Sequence, residues 1–249
     1  MEIRIGSLFS GIGGFELGLE RAIPNSRTIW QVEKDKVCRS ILAKHWPNAK
    51  RHNEIKLVGK HNLENVDIIC GGFPCQNISR AGKKEGIHGA QSSFWFEMLR
   101  VIRELRPKVI IIENSANIIR LGGAAVIGGL AEIGYDAEWT VLSAREQGSC
   151  HKRDRWFCVA YPTEEDVQEQ PLYPIGMETE RRPSRGNHED DGSQSPNYWQ
   201  RHTHPSPFCR VDDGVSNRMD RLKALGNSIV PQCSEFVGKC IVESGLLDQ

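Results

Sequence analysis

The sequence has 249 residues, of which 39% are hydrophobic and 26% are charged, and its formal net charge is zero. With no apolar run long enough to cross a bilayer and no signal-peptide pattern at the N-terminus, we expect one main globular domain in the cytoplasm. The eight cysteines show no CxxC spacing, which favours reduced thiols over structural zinc or disulfides, and the zero net charge leaves nucleic-acid contacts to local patches.

Between residue 1 and about residue 161, short β-branched runs alternate with helical patterns. This alternation is typical of a doubly wound α/β domain with a mostly parallel sheet. The predicted strands are residues 3–8, 28–32, 66–70, 108–112, 138–142 and 156–161. The clearest helix is predicted over residues 92–105, where apolar residues form one stripe until Pro107 ends the pattern. A closing helix is predicted over residues 229–247.

The composition changes after Pro162. Residues 163–217 are rich in acidic, small and polar residues, so this segment cannot build a large core. Aromatic and basic side chains are interleaved within it, which suits a nucleic-acid surface; a disordered linker is the alternative. We therefore predict a main domain over residues 1–162, a small irregular region over 163–217, and a C-terminal segment over 218–249 that returns to the main domain.

The first strand ends in a glycine-rich turn, Phe9-Ser10-Gly11-Ile12-Gly13-Gly14, that leads into a helical pattern. Such a turn lets a ligand approach the backbone closely. Glu16 stands where a dinucleotide fingerprint has its third glycine, which favours a cofactor without a pyrophosphate. Glu33 follows the second strand, where a carboxylate can accept hydrogen bonds from ribose hydroxyls. These features predict an adenosine-containing cofactor; a structural turn beside a surface glutamate is the alternative.

A cysteine and a glutamate follow two further predicted strands. Gly71-Gly72-Phe73-Pro74-Cys75-Gln76 comes after one strand, and Glu113-Asn114 comes after the next. Because functional groups gather at the carboxyl ends of parallel strands, both side chains should share an edge with the glycine turn. A Gly and Pro loop is where an exposed nucleophile is expected. Four other cysteines are interpreted as inert core thiols: Cys38, Cys70, Cys158 and Cys240.

A thiolate, a carboxylic acid and an adenosyl cofactor together suit methylation of a pyrimidine. Carbon 5 of cytosine is too poor a nucleophile to take a methyl group directly. Addition of a thiolate at carbon 6 makes carbon 5 enamine-like, provided that the charge at N3 is neutralised. A protonated Glu113 would neutralise it, and we expect its pKa to be raised by desolvation or by contact with the base.

Several motifs resemble those of the cytosine-5 DNA methyltransferase family, over most of residues 3–161 and again over about 210–238. Residues 7–14 are similar to its cofactor turn, 72–76 to its nucleophile loop and 113–114 to its glutamate motif. Residues 151–155 are similar to its paired-arginine motif, and 226–231 to its late motif. The resemblance implies a Rossmann-like fold of the S-adenosylmethionine-dependent methyltransferase type with a small irregular DNA-recognition lobe, in a compact bacterial or phage enzyme.

The resemblance also implies roles for individual residues. Cys75 is the implied nucleophile toward a cytosine flipped out of duplex DNA, and Glu113 holds N3. Arg155 contacts the cytosine, and Arg153 supports the loop. The implied contacts to S-adenosyl-L-methionine are Phe9, Ser10, Gly11, Ile12, Gly13, Gly14, Glu33, Glu54, Ile55, Pro74, Phe94, Asn227 and Ser228. The expected DNA contacts are Gln76, Ser79, Arg80, Lys83, Arg181, Arg182 and Arg201. We expect a monomer on double-stranded DNA, no metal, and a cognate restriction endonuclease as a candidate partner.

Three alternatives stay open at this point. An RNA methyltransferase of the DNA-type lineage would use the same thiol and glutamate on a tRNA cytosine. A degenerate relative would bind cofactor or DNA without catalysis, although retention of Cys75, Glu113 and both arginines argues against it. An unrelated thiol hydrolase would need a histidine base beside Cys75, for which His88 and His151 are the candidates.

Overall fold

A computed structural model describes residues 2–74, 93–149, 153–163 and 228–248. Its seven strands, counted in these residues, form one sheet in the order β3-β2-β1-β4-β5-β7-β6. They are β1 (Ile3–Leu8), β2 (Ser26–Val32), β3 (Lys50–His52), β4 (Ile68–Gly71), β5 (Val109–Ser115), β6 (Tyr135–Ser143) and β7 (Asp154–Pro162). Strands β1 to β5 pair in parallel, whereas β7 runs antiparallel to β5 and β6. The predicted mostly parallel α/β sheet is confirmed.

Helices cover both faces of this sheet. They are α1 (Gly14–Ala22), α2 (Lys36–His45), α3 (Ser93–Leu105), α4 (Ile118–Leu121), α5 (Gly123–Glu132) and α6 (Pro231–Glu243), and a 3-10 turn lies at Ile55–Leu57. In β5, Ile110 and Ile112 belong to the core with α3 and α5, whereas Val109 and Ile111 belong to the core with α1 and α6. Burial on both faces explains why this strand is a continuous apolar run.

The predicted element boundaries differ from the structure at several ends. The strand predicted over 3–8 is β1, and the helix predicted over 92–105 is α3. The strand predicted to end at residue 112 continues to Ser115, because residues 113–115 pair with residues 155–157 of the antiparallel β7. The closing helix is shorter than predicted, and it begins at Pro231, whose ring suits the first turn of a helix.

Residues 164–227 lie outside the described residues, so the recognition region and the domain boundaries stay predictions. Among the described residues, no helix combines the length and the apolar character required to span a membrane.

The C-terminal helix α6 packs closely on α1. The hydroxyl of Ser234 donates a hydrogen bond to Gly14 O at 3.0 Å. A Cβ added to Gly18 would lie 2.1 Å from Ser234 Oγ and 2.3 Å from Pro231 O. Position 18 therefore admits only glycine at this helix separation, and this contact holds the C-terminal segment on the first helix.

Gly18→Ala should lower the free energy of unfolding by about 1–3 kcal/mol, because the added methyl group must push α6 away from α1. Chemical denaturation followed by circular dichroism measures the change. Gly128→Ala is the matched control, since Gly128 is also helical but an added Cβ would meet no atom within 4 Å. This control should gain about 0.5–1 kcal/mol from the higher helix propensity of alanine. Equal effects of the two substitutions would contradict the tight α1–α6 contact.

Candidate active site

The glycine-rich turn connects β1 to α1. Gly11 and Gly13 have φ angles of 56° and 92°, which lie in the left-handed region that favours glycine. A Cβ on Gly11 would meet no atom within 4 Å, so the backbone there faces open space that a ligand can enter. Phe9 has a φ of 55°, a strained value for a bulky residue. Its ring makes an edge contact with Phe94 of α3, with 5.8 Å between ring centroids.

Glu33 is bonded directly to this turn. Its Oε2 accepts a hydrogen bond from Gly11 N at 2.8 Å, and its Oε1 accepts one from Asp35 N at 2.7 Å. A carboxylate oxygen can accept more than one hydrogen bond. Glu33 can therefore hold the turn and still accept a bond from a ligand hydroxyl, and the structure brings it to the turn as the sequence predicted.

Glu54 and Ile55 follow β3 at the same edge of the sheet. Glu33 N donates to His52 O at 3.0 Å, which joins the end of β3 to the end of β2. The carboxylate of Glu54 lies 3.9 Å from Lys34 Nζ. Ile55 is buried and begins the 3-10 turn.

The C-terminal segment reaches the turn from the opposite side. A Cβ on Gly14 would lie 2.3 Å from Ile229 O and 3.1 Å from Ser228 Oγ. Arg153 Nη2 donates to Ser228 O at 2.9 Å. Ser228 is thus held between the glycine turn and Arg153. It lies beside the turn, where the sequence analysis placed it.

Glu113 and Arg155 form an ion pair at this edge. Arg155 Nε lies 2.9 Å from Glu113 Oε1, and the two side chains are 27% and 12% exposed, respectively. Burial raises the pKa of Glu113, although the charges of Arg155 and Arg153 oppose the rise. Glu113 is therefore easier to protonate than an exposed glutamate while it stays in contact with a fixed positive charge.

The segment that leads to Cys75 begins against Glu113. A Cβ on Gly72 would lie 2.7 Å from Glu113 Oε2. Asn114 is buried, and its Nδ2 donates to Phe73 O at 3.3 Å. Sequence reasoning named Asn114 only as part of a motif, and the hydrogen bond to Phe73 O gives it a role in holding this segment.

Several predicted site residues lie outside the described residues, and their roles stay predictions. They are Cys75, Gln76, Ser79, Arg80, Lys83, Arg181, Arg182, Arg201 and Asn227, together with His88 and His151. The structure brings the described candidates to a single edge, and Pro74 is half-buried at the end of the segment that follows β4.

Four cysteines predicted to be core residues are buried: Cys38, Cys70, Cys158 and Cys240. Burial raises the pKa of the Cys70 and Cys158 thiols, and it raises the pKa of Cys240 to about 11. A fifth buried cysteine, Cys233, lies on α6. These thiols are therefore poor nucleophiles.

Glu16 has a structural role that the sequence did not predict. It is fully buried in the first turn of α1, and its Oε1 accepts a hydrogen bond from Gln31 Nε2 at 3.1 Å. Burial raises the pKa of Glu16 to about 7, although the hydroxyls of Ser7 and Ser10 favour the ionised form. Acidic residues are common at the start of a helix. The position of Glu16 in the sequence therefore gave no indication that its side chain is buried.

A mostly parallel seven-stranded sheet with helices on both faces and a glycine-rich turn after β1 defines a Rossmann-like methyltransferase fold. The Entamoeba histolytica methyltransferase EhMeth superposes with a TM-score of 0.56 at 19% identity, covering 68% of this chain and 56% of that chain. The family model described as C-5 cytosine-specific DNA methylase matches residues 3–206. The chain belongs to this family.

Two curated relatives each match about two thirds of the chain. The Type II methyltransferase M.HhaI of Haemophilus parahaemolyticus is 29% identical over 170 residues, which cover 67% of this chain and 51% of the relative. The Type II methyltransferase M.CviJI of Paramecium bursaria Chlorella virus IL3A is 30% identical over 171 residues, which cover 68% and 46%. The chain therefore spans about half the length of the curated relatives that it matches.

Glu16→Gln should stabilise the protein in a pH-dependent way. Because the folded state raises the pKa of Glu16 from 4.5 to about 7, the wild-type protein loses stability as the pH rises between these values. The loss is complete above pH 7 and is on the order of 3 kcal/mol. The variant carries no such ionisation, so its advantage should be small below pH 4.5 and largest above pH 7.

Denaturant unfolding at a series of pH values tests this expectation. Glu132→Gln makes the same substitution at an exposed position of α5 and should leave the pH dependence close to that of the wild type. A constant stability difference between Glu16→Gln and the wild type over the whole range would show that Glu16 does not titrate in this window.

Proposed function

We propose that this chain transfers a methyl group from S-adenosylmethionine to carbon 5 of cytosine in duplex DNA, with Cys75 as the covalent nucleophile. The observation that carries the proposal is the partly buried ion pair of Glu113 and Arg155, with 2.9 Å between Arg155 Nε and Glu113 Oε1, against Gly72. That glycine is three residues before Cys75 in the sequence. A carboxylic acid, a fixed guanidinium and the start of a thiol-bearing loop are therefore close together.

The residues at the turn suit an adenosyl cofactor. The open space beside Gly11 admits a ligand to the backbone, and the Glu33 carboxylate is in place to accept ribose hydroxyls. Glu54 and Ile55 follow the neighbouring strand, where they would contact the adenine. The remaining proposed contacts are Phe9, Ser10, Ile12, Gly13, Gly14, Pro74, Phe94, Asn227 and Ser228. When bound, S-adenosylmethionine supplies an electrophilic methyl group on a positively charged sulfur.

The proposed reaction uses the protein groups in a fixed order. The Cys75 thiolate adds to carbon 6, and the electron pair displaced into the ring is neutralised at N3 by a proton from Glu113. Carbon 5 would then take the methyl group as the bond between that group and the cofactor sulfur breaks, which would leave a neutral thioether. The carbon 5 proton leaves to solvent while the bond between sulfur and carbon 6 breaks, which restores the aromatic ring and the thiolate, and N3 returns its proton to Glu113. Arg155 would hold Glu113 and contact the cytosine, and Arg153 would support the loop through Ser228.

The family and the names of the relatives support a proposed substrate and a proposed partner. Double-stranded DNA is the proposed substrate, and the target base must leave the stack, because a thiol cannot reach carbon 6 inside a duplex. Residues after Cys75 and the arginines of the region 163–217 are proposed to contact the DNA. Relatives named Type II methyltransferases support a proposed pairing with a restriction endonuclease. We also propose that the chain acts on DNA as a monomer.

Duplex DNA in which 5-fluorocytosine replaces cytosine should form a covalent adduct with the protein in the presence of S-adenosylmethionine. Fluorine at carbon 5 cannot leave as a proton, so the sulfur stays bonded to carbon 6. We expect a band that survives denaturing gel electrophoresis and a cross-linked peptide that contains Cys75. A pool of random-sequence duplexes removes the need to know the recognition site.

Cys75→Ser should abolish the adduct, whereas Cys38→Ser, the same exchange at a buried cysteine of α2, should form it normally. Transfer RNA that carries 5-fluorocytosine is tested in parallel. An adduct with tRNA alone would favour the RNA methyltransferase alternative, and no adduct with either nucleic acid would refute the proposal.

Glu113→Gln should reduce methyl transfer by roughly two to four orders of magnitude, because glutamine cannot deliver a proton to N3. Transfer of labelled methyl groups to DNA measures the rate, and calorimetry of S-adenosylmethionine binding should show an affinity close to that of the wild type. Glu132→Gln is the control and should transfer methyl groups at the wild-type rate. An unchanged rate in Glu113→Gln would remove this carboxyl group from the chemistry.

A further inference from the structure

Arg100 lies in the middle of α3, and its guanidinium contacts four groups. Nε lies 2.9 Å from Glu97 Oε2, and Nη1 lies 2.8 Å from Glu104 Oε1. Nη2 donates to two main-chain carbonyls, Ile55 O at 3.0 Å and Val58 O at 2.9 Å. All three nitrogens of the guanidinium are thus engaged, two by carboxylates and one by the backbone of a separate segment.

Glu104 adds a further contact to the same segment. Its Oε1 holds Arg100, while its Oε2 accepts a hydrogen bond from Lys60 N at 2.9 Å. A Cβ added to Gly59 would lie 2.2 Å from that oxygen. Residues 55–60 are therefore attached to α3 through two carbonyls and one amide, and Arg100 and Glu104 supply all three partners.

This segment has little structure of its own. The segment begins with a single 3-10 turn. In this turn, Leu57 N donates a hydrogen bond to Glu54 O at 3.1 Å, and Val58 N donates one to Ile55 O at 3.3 Å. Such short turns have poor hydrogen-bond geometry and weak intrinsic stability. Ile55 and Val58 are buried in the core that includes α3 and the sheet, so the position of the segment depends on this packing together with the bonds to Arg100 and Glu104.

Helix α3 also contacts the glycine turn, through the edge contact of Phe94 with Phe9. The same helix thus touches two sides of the proposed cofactor cleft. One side is the turn with Glu33 bonded to it, and the other is the segment that begins with Glu54 and Ile55. The pairing of β2 with β3 and the bond from Glu33 N to His52 O place the start of that segment relative to Glu33, and the contacts with α3 place the residues that follow.

We propose that Arg100 is a positioning residue of the cofactor site: its guanidinium holds the carbonyls of Ile55 and Val58 and so fixes the adenine-contacting residues relative to Glu33. This inference rests on the proposed function, because it requires an adenosyl cofactor. Arginine suits the task since its planar fork bonds two carboxylates and two carbonyls at once, whereas the ammonium of lysine has three donors at a single point.

Arg100→Lys should raise the dissociation constant for S-adenosylmethionine roughly tenfold, because the segment that begins with Glu54 and Ile55 would hold the binding geometry in only about a tenth of the molecules. Isothermal titration calorimetry on the full chain gives the dissociation constant and the number of competent sites separately. A merely structural role would reduce the number of sites and leave the dissociation constant unchanged. Amide hydrogen exchange should also become faster at Leu57 and Val58.

Arg103→Lys is the matched control, because it makes the same substitution three residues later on the same helix at an exposed side chain. It should bind S-adenosylmethionine and exchange its amides as the wild type does. Glu104→Gln is a second variant, in which the neutral side chain holds Arg100 and Lys60 N more weakly. It should weaken S-adenosylmethionine binding in the same direction by a smaller factor, and it decides the question if Arg100→Lys does not fold.

Three results would count against the inference. Wild-type affinity in Arg100→Lys, with unchanged exchange at Leu57 and Val58, overturns it and leaves the proposed function intact. Wild-type affinity in Glu104→Gln overturns it where Arg100→Lys does not fold. A wild-type protein that binds no S-adenosylmethionine overturns the proposed function and this inference together.

Discussion

Parallel pairing of the strands is the constraint on which the rest of the candidate site depends. In the register of the sheet, four residues lie side by side in one row: Val32, Leu8, Gly71 and Ile112. The next residue of each strand belongs to the candidate site, and these residues are Glu33, Phe9, Gly72 and Glu113. Because the carboxyl ends of parallel strands point the same way, four segments far apart in the sequence emerge at one edge. A slip of one residue in any strand would turn its side chains to the opposite face.

The antiparallel strand β7 places a positively charged side chain beside these site residues. It brings Arg155 opposite Ser115, close enough for its side chain to reach Glu113. Burial alone would favour a neutral Glu113, and an adjacent arginine alone would favour an ionised one. The two influences oppose each other at Glu113, with burial the larger. Displacement of water by an incoming base would strengthen the effect of burial, so protonation would be easiest when N3 of the base is present to receive the proton.

Much of this arrangement follows from the sequence, because its signals are local. The glycine run after an apolar strand predicted the turn, and the parallel-strand rule predicted that Glu33 and Glu113 share its edge. The capping side chain of Asp35, which accepts bonds from Val37 N and Cys38 N, was a visible signal for α2 that the sequence analysis did not use. Helix α5 was hidden by its glycines, which have low helix propensity, and β3 is a three-residue polar strand without a β pattern.

Other features could not be predicted because they depend on long-range partners. The extension of β5 through Glu113 requires β7, which lies about forty residues further along the chain and pairs in the opposite direction. The burial of Glu16 depends on Gln31 from a neighbouring strand. The spacing of Glu97, Arg100 and Glu104 does predict ion pairs along a helix. It gives no indication, however, that the same arginine also holds two carbonyls of a distant segment.

Three described side chains position the edge of the site by holding main-chain carbonyls. Asn114 holds Phe73 O, Arg153 holds Ser228 O, and Arg100 holds the carbonyls of the 3-10 turn. Each bond joins segments that are distant in the sequence, so it opposes the conformational entropy of the chain between them. A carbonyl left unpaired in a buried setting costs about 1–3 kcal/mol. Loss of such a donor is therefore expected to move the backbone of a segment of the candidate site, whereas an exposed substitution should leave that backbone in place.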